Sequence, residues 1–260
     1  NIPFQDRWQL WLVYLRGQPS VQIALNSRYP QMPTWSADGA FVYYAEPDKD
    51  ERFHLFRIKS TGGETENISP KSWNWGEPTN RVSIKTNKAA RLVVTSNGHP
   101  VLPETGFARF DGQNGQVYFY TPGEIAVEVP AGEIKVQATQ GFGTSAVTTE
   151  KTIKTGENSE ITLDIPAPLW NPATDGWYSA DLHSHLNYGG PYLLTPEDIV
   201  LDMQGEFLDL NTPQLANLHT RFNDVEWWNW KKTTLPQIHF AQEVRSHFLG
   251  HVAIVGADSL

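Results

Sequence analysis

Apolar and polar residues alternate with a period of two through much of the first two thirds of the chain, and that pattern admits strands and little else. Successive side chains of a strand point to opposite faces, so alternation assigns one face to a core and the other to water. WQLWLVYLRG at residues 8–17 alternates in this way, and PTWSADGAFVYYAEP at 33–47 sets Asp38-Gly39 between two strand-like runs. Asp-Gly favours the positive backbone angles of a tight hairpin turn. FHLFRIKSTGGETENIS at 53–69 then predicts another strand, a Gly-Gly turn and a short closing strand.

The order PTWSADGAFVYYAEP, FHLFRI and GGETENIS resembles one blade of a TolB-like β-propeller. A blade cannot bury both of its faces alone, because propellers close around typically 4 to 8 of them. The resemblance therefore implies that residues 1–70 leave a sheet edge unpaired, or that further chains or segments complete the ring. The alternative is an ordinary β-meander. KSWNWGEPTN at 71–80 has the composition of a linker. Beyond it RVSIKT, ARLVVTS, QVYFYT, EIAVEVPAGEIKVQATQG, AVTTEKTIKTG and SEITLDIP predict six short strands of a β-sandwich over residues 81–166. This segment is similar to transthyretin-like or carboxypeptidase-regulatory-like domains, a scaffold type. A carbohydrate platform would need exposed aromatics on one face, and Tyr118, Phe119 and Tyr120 read as easily as core and rim as they do as platform.

After a second connector, APLWNPATDG at 167–176, the character changes: six of the eight histidines lie at or beyond residue 183. In WYSADLHSHL, Asp181, His183 and His185 share one strand face at steps of about 6 to 7 Å. Two imidazoles at that spacing can grip one metal ion, and Asp181 is placed to orient a ligand imidazole. An isolated His-x-His pair is more often just two polar residues on an exposed face, but this one precedes a helix start. Thr195 is a suitable N-cap, Pro196 the first helical residue, and Glu197 and Asp198 fill the first turn. Strand then helix reads as a βα unit. In IHFAQEVRSHFLGHVAIVG, GHVAIVG reads as a buried strand with His251 at its start and Glu243 ahead of it. His183, His185, Glu243 and His251 would complete the shell of one catalytic divalent metal, or form the shared half of a two-metal site with Glu243 bridging. His247 reads as a neighbour of the site or a surface residue and His239 as a satisfied polar residue. Trp227, Trp228 and Trp230 read equally as a lid or as packing.

GWYSADLHSHLNYGG, LTPEDIVLDMQGEFLDL and QEVRSHFLGHVAIVG together resemble PHP-type metallohydrolases of the amidohydrolase group, in the CehA/McbA-like branch. The resemblance covers residues 175–260 and implies metal ligation by His183, His185, Glu243 and His251, with Glu243 and Asp181 in catalytic roles. Zinc is the expected metal, with manganese or iron as alternatives. Two features depart from the pattern. NYGG follows the histidine pair where an aspartate is usual, and LNTPQLANLHTRF lacks the usual Thr-Asp-His, leaving Asn217 or His219 for that position. The segment is also short of the roughly 200 residues of a closed barrel.

The expected architecture is thus multidomain β plus α/β: propeller-type strands, a β-sandwich, then part of a PHP-like (β/α) barrel. The expected activity is metal-dependent hydrolysis of an ester, amide, carbamate or phosphoester in a small-molecule substrate. The alternative is a non-catalytic extracytoplasmic binding or scaffold protein with a degenerate or incomplete PHP-like part. A net charge of −9 without a basic run disfavours nucleic acid as a partner. No stretch approaches the roughly 20 apolar residues of a membrane span. With no cysteine, a metal falls to His, Asp or Glu. The expected location is periplasmic or secreted.

Overall fold

The computed structural model describes residues 9–27, 30–47, 53–71, 76–110, 114–187, 194–218, 221–222, 224–246 and 250–257. Its contacts divide the chain into two compact units, residues 1–73 with 187–194 and 217–223, and the remainder from residue 74 onward.

The first unit contains a hairpin of β1 (Leu10–Leu12) and β2 (Val21–Ile23) and an antiparallel meander of β3 (Gln31–Trp35), β4 (Phe41–Pro47), β5 (Phe53–Lys59) and β6 (Glu66–Asn67). Leu10, Leu12, Ile23, Ala24, Val42, Tyr44 and Ile58 form its core. Asp38-Gly39 turns β3 into β4 as the sequence predicts. Gly39 has φ +70°, and the Asp38 carboxylate accepts from the Ser36 hydroxyl at 2.6 Å and the Ala40 N–H at 3.0 Å. The β5–β6 turn uses Gly62 and Gly63 at φ +83° and +112°.

The second unit begins with nine strands in two sheets. These are β7 (Thr79–Thr86), β8 (Ala90–Ser96), β9 (His99–Pro100), β10 (Arg109–Phe110), β11 (Val117–Thr121), β12 (Glu124–Pro130), β13 (Gly132–Thr139), β14 (Val147–Ile153) and β15 (Ser159–Leu163). One sheet runs β10-β11-β8-β13-β14 with β9 beside β8, the other β12-β7-β15. Inward residues of both, among them Val82, Leu92, Phe119, Val127, Ile134 and Ile161, form one core cluster. Each such side chain, fully removed from water, stabilises the fold by roughly 1.5–3 kcal/mol. The six-strand sandwich expected from the sequence is met only loosely. The sheets are unequal and β15 runs parallel to β7.

β16 (Ala180–Ser184), α1 (Pro196–Glu206) and β17 (Leu210–Leu218) follow. Thr195 caps α1, its N–H donating to the Asp198 carboxylate at 2.7 Å, and Pro196 opens the first turn. β16 and β17 pair in parallel, so the predicted βα unit forms. β18 (Arg221–Phe222) folds back on β17. β19 (Lys231–Lys232), β20 (Gln237–His239), β21 (Ala241–Ser246) and β22 (Gly250–Ile254) complete the last sheet. β20 and β21 lie along β17 in one parallel register, whereas β22 returns antiparallel to β21.

This architecture overturns the expected multidomain β plus α/β fold ending in a PHP-like (β/α) barrel. Strands make up 48% of the protein and helix 8%, the sheets are open, and α1 is the single α-helix among the described residues. A (β/α) barrel follows each strand with a helix. Here QEVRSHFLGHVAIVG makes an antiparallel pair instead, and β22 is exposed throughout where a buried strand was expected. The PHP-type, amidohydrolase-like family assignment that implied such a barrel falls with it. The strands of the first unit include an open four-stranded antiparallel meander, β3-β4-β5-β6, an arrangement that a single blade and an ordinary β-meander share. No helix among the described residues is long and apolar enough to cross a membrane.

α1 lies on β8 and β11. A Cβ on Gly205 would sit 2.4 Å from a Tyr120 ring carbon, and one on Gly141 2.4 Å from the Glu206 carbonyl oxygen. Around this close approach Tyr120 donates its hydroxyl to Glu206 at 2.8 Å and Arg109 reaches Asp202 at 3.1 Å. Burial pushes the Asp202 carboxyl up to about 6, against the opposing pull of Arg109.

Gly205→Ala is expected to lose about 1–3 kcal/mol, the usual cost of overpacking, read from denaturant unfolding; an unchanged midpoint would contradict the contact. Asp202 gives a second expectation. The folded protein keeps its proton to about pH 6 while the unfolded chain releases it near 3.8, so the native state binds more protons in that window. Its contribution to stability is then fully present below pH 4 and lost as pH rises through 6. The stability difference between the wild type and Asp202→Asn should change across pH 4–6, and a parallel pair of pH profiles would refute this.

Candidate metal centre

β17 lies between β16 on one side and β20 and β21 on the other, all running the same way. His183 and His185 stand at the C-terminal end of β16, and Glu243 pairs in register with Ala216 near the end of β17. Ligand sites in open parallel sheets form at this end of the strands. A register shift between Asp181 and Ser184 kinks β16 there, and the two imidazoles meet edge to face with centroids 5.3 Å apart.

Their target is a buried carboxylate. Glu243 is 2% exposed, with His183 Nε2 3.5 Å from its Oε1 and His185 Nε2 3.3 Å from its Oε2. His183, His185 and Glu243 offer ligand atoms all within 4.8 Å of one another, and the three could hold a metal ion. His251 arrives at the same carboxylate, its Nδ1 2.9 Å from Oε1.

Hydrogen bonding decides which ring nitrogens carry protons. His185 Nδ1 lies 3.1 Å from the Gln214 carbonyl oxygen, which can only accept, so Nδ1 donates and Nε2 presents a lone pair. Burial also holds the His185 imidazole below its ordinary pKa, more than the Gln214 carbonyl and Glu243 raise it. The neutral ring therefore turns a lone pair toward Glu243 Oε2, a buried oxygen with no hydrogen-bond partner among the described residues. Two facing lone pairs at 3.3 Å repel each other unless a proton or a metal ion lies between them. Around a tetrahedral ion with bonds of about 2.0–2.1 Å, neighbouring ligand atoms stand about 3.3 Å apart, close to the separations found here.

His251 plays a different part. Arg245 Nε, a donor only, lies 3.5 Å from His251 Nε2, so the proton of the neutral ring sits on Nδ1 and is donated to Glu243. His251 steadies the carboxylate from beside the group of three. Asp181 does not reach an imidazole nitrogen: its Oδ1 accepts the His183 backbone N–H at 3.0 Å and so holds the strand end.

Gln214 went unread in the sequence. Besides its carbonyl contact with His185, its side chain donates to the Leu182 carbonyl at 2.9 Å and ties β16 to β17. Nothing local in LNTPQLANL marks it, because its burial and its carbonyl contact with His185 arise only in the fold. Trp230 packs edge to face on Phe240 and donates to Glu197 at 3.2 Å, so it is packing rather than lid. His239 is exposed and contacts Gln237 at 3.2 Å. His219, His247 and the side chain of Asn217 lie outside the described residues.

Set against known proteins, the chain matches no family model, no curated protein and no solved structure. The case for a site therefore rests on its geometry.

Ligand imidazoles must be neutral, so protons compete with the ion. Zinc affinity, followed by titration calorimetry, is expected to be flat above pH 7 and to fall as pH drops through the imidazole range. Affinity that stays constant down to pH 5 would exclude histidine ligation.

Proposed function

We propose that this chain is a metal-dependent hydrolase in which His183, His185 and Glu243 hold one divalent ion. The observation that carries the reading is the buried Glu243 Oε2, without a hydrogen-bond partner among the described residues and faced by the unprotonated Nε2 of His185. A charge so placed is costly unless paired or coordinated.

Two nitrogens and a carboxylate favour zinc, with manganese or iron as alternatives. Three protein ligands are the number that leaves a coordination position for water or substrate. The ion, when bound, would lower the pKa of a water toward 7 and polarise a scissile carbonyl or phosphoryl group. The chain's own residues do the rest. The Gln214 carbonyl fixes the His185 tautomer, His251 and Arg245 orient Glu243, and Glu243 is the acceptor at hand for a proton leaving water. Substrates in keeping with this chemistry are small esters, amides, carbamates or phosphoesters.

Zinc-reconstituted protein is expected to hold one equivalent by elemental analysis and to hydrolyse at least one of a panel of nitrophenyl esters, carbamates and phosphoesters. His185→Ala and Glu243→Ala should lose both metal and activity. His251→Ala should keep the metal with affinity weakened about 10–100-fold, the usual cost of losing a residue behind a ligand. Metal retained at full strength in Glu243→Ala would sink the proposal. Stoichiometric metal without turnover on any substrate would favour a non-catalytic binding protein.

A further inference from the structure

A cleft of about 530 Å³ opens beside the first residues of β16. Its rim carries Phe142 and Trp170, and Phe207 lines it further in. Phe142 is fully exposed between Gly141 and Gly143, and Trp170 is 57% exposed. Large aromatic faces in such positions forgo burial that would stabilise the fold.

The segments that carry Phe142 and Trp170 are tied together. The Leu169 N–H donates to the Gly143 carbonyl at 3.0 Å, joining the segments that bear Trp170 and Phe142. The Trp170 indole N–H donates to Asp175 at 2.8 Å. Phe207 adopts φ +55° at the end of α1, a left-handed conformation in which a bulky residue is strained and glycine usual.

Charge narrows the ligand. Asp181 and Glu206 line the cleft, and no lysine, arginine or histidine does. Glu206 is already balanced by Arg91 at 3.2 Å and the Tyr120 hydroxyl. The Asp181 carboxylate accepts a single backbone N–H, from His183, and leaves the cleft with net negative charge. Aromatic faces and a carboxylate together recognise cations, the former through the ring quadrupole. An anion would meet only repulsion.

We infer that this cleft binds an organic cation, an ammonium group carried on an aromatic or alkyl body, with the rings of Phe142, Trp170 and Phe207 around the apolar part and Asp181 against the charge. The inference stands apart from the metal reading, because none of the three metal-group residues lines the cleft. Asp181 nevertheless joins the two places through its bond to the His183 N–H.

The test uses the full chain without added metal and three probes of similar size: benzyltrimethylammonium, benzyl alcohol and benzoate, followed by ligand-observed NMR titration. Benzyltrimethylammonium is expected to bind at least about tenfold more tightly than benzyl alcohol, since cation–π and ion-pair terms together reach 1.4 kcal/mol, and benzoate should not bind. Asp181→Asn, which keeps an oxygen for the His183 N–H, should remove the preference for the cation. Phe142→Ala, which alters a fully exposed side chain and leaves the core alone, should weaken benzyltrimethylammonium about three- to tenfold. Equal binding of benzyl alcohol and the cation, no binding of the cation, or unaltered binding in both variants would each overturn the inference.

Discussion

The seam between α1 and one face of the six-stranded sheet anchors the helix that links β16 and β17. At Gly205 and Gly141 the helix approaches so closely that a methyl group would overlap Tyr120 or the Glu206 carbonyl. Such contacts tolerate little sliding, because a packed interior has no free volume to absorb it. Tyr120 with Glu206, Arg91 with Glu206, and Arg109 with Asp202 then fix the helix along its axis. α1 lies between β16 and β17 in the chain, so its placement helps to set that of the two strands. Ser179 and Asp209 clamp their starts together, with bonds of 2.9 to 3.1 Å between the side chains and N–H groups of both. The histidine pair is therefore referred to the sandwich core through one helix.

What the sequence made legible was local. Asp38-Gly39 needs only its own two residues and flanking runs to specify a hairpin. Thr195, Pro196 and Asp198 specify a helix start within four residues. His183 and His185 were legible for the same reason, as a pair on one strand. Glu243 and His251 were singled out as histidine-site partners, and the fold does bring both to the pair's side of the sheet.

The rest depended on contacts distant in sequence. The barrel expectation came from likeness of motifs, while the residues after Phe207 contain no second cap followed by a helical apolar period. VEWWNWKKTTLP carries aromatic and turn residues instead, and β21 and β22 pair antiparallel with Gly250, at φ +79°, opposite Ser246. Gln214 could not be recognised as the residue that sets the His185 tautomer, because the bond uses a backbone carbonyl that every residue possesses. Gly205 likewise looks like a helix weakness in isolation, costing about 1 kcal/mol relative to alanine; only Tyr120, far away in sequence, supplies its reason.

The supports of the metal group differ in kind. His183 and His185 lie on an edge strand, but Gln214 of the interior strand β17 binds both the Leu182 carbonyl and the His185 ring. Glu243 sits on β21, covered by β17 on one side, and is nearly inaccessible. Its other neighbour, β22, is exposed at every residue, with Val252 and Ile254 at 54% and 40%. Strands with few buried apolar contacts open at low free energy. His251 belongs to that strand, so the bond that steadies the Glu243 carboxylate is the first to be lost when the edge frays. The imidazole pair is thus preorganised by interior packing, whereas the orientation of the one negative ligand is coupled to the integrity of the outermost strand. Anything that orders β22, whether a further strand along its free edge or the ion itself drawing Glu243 into place, strengthens the whole group at once.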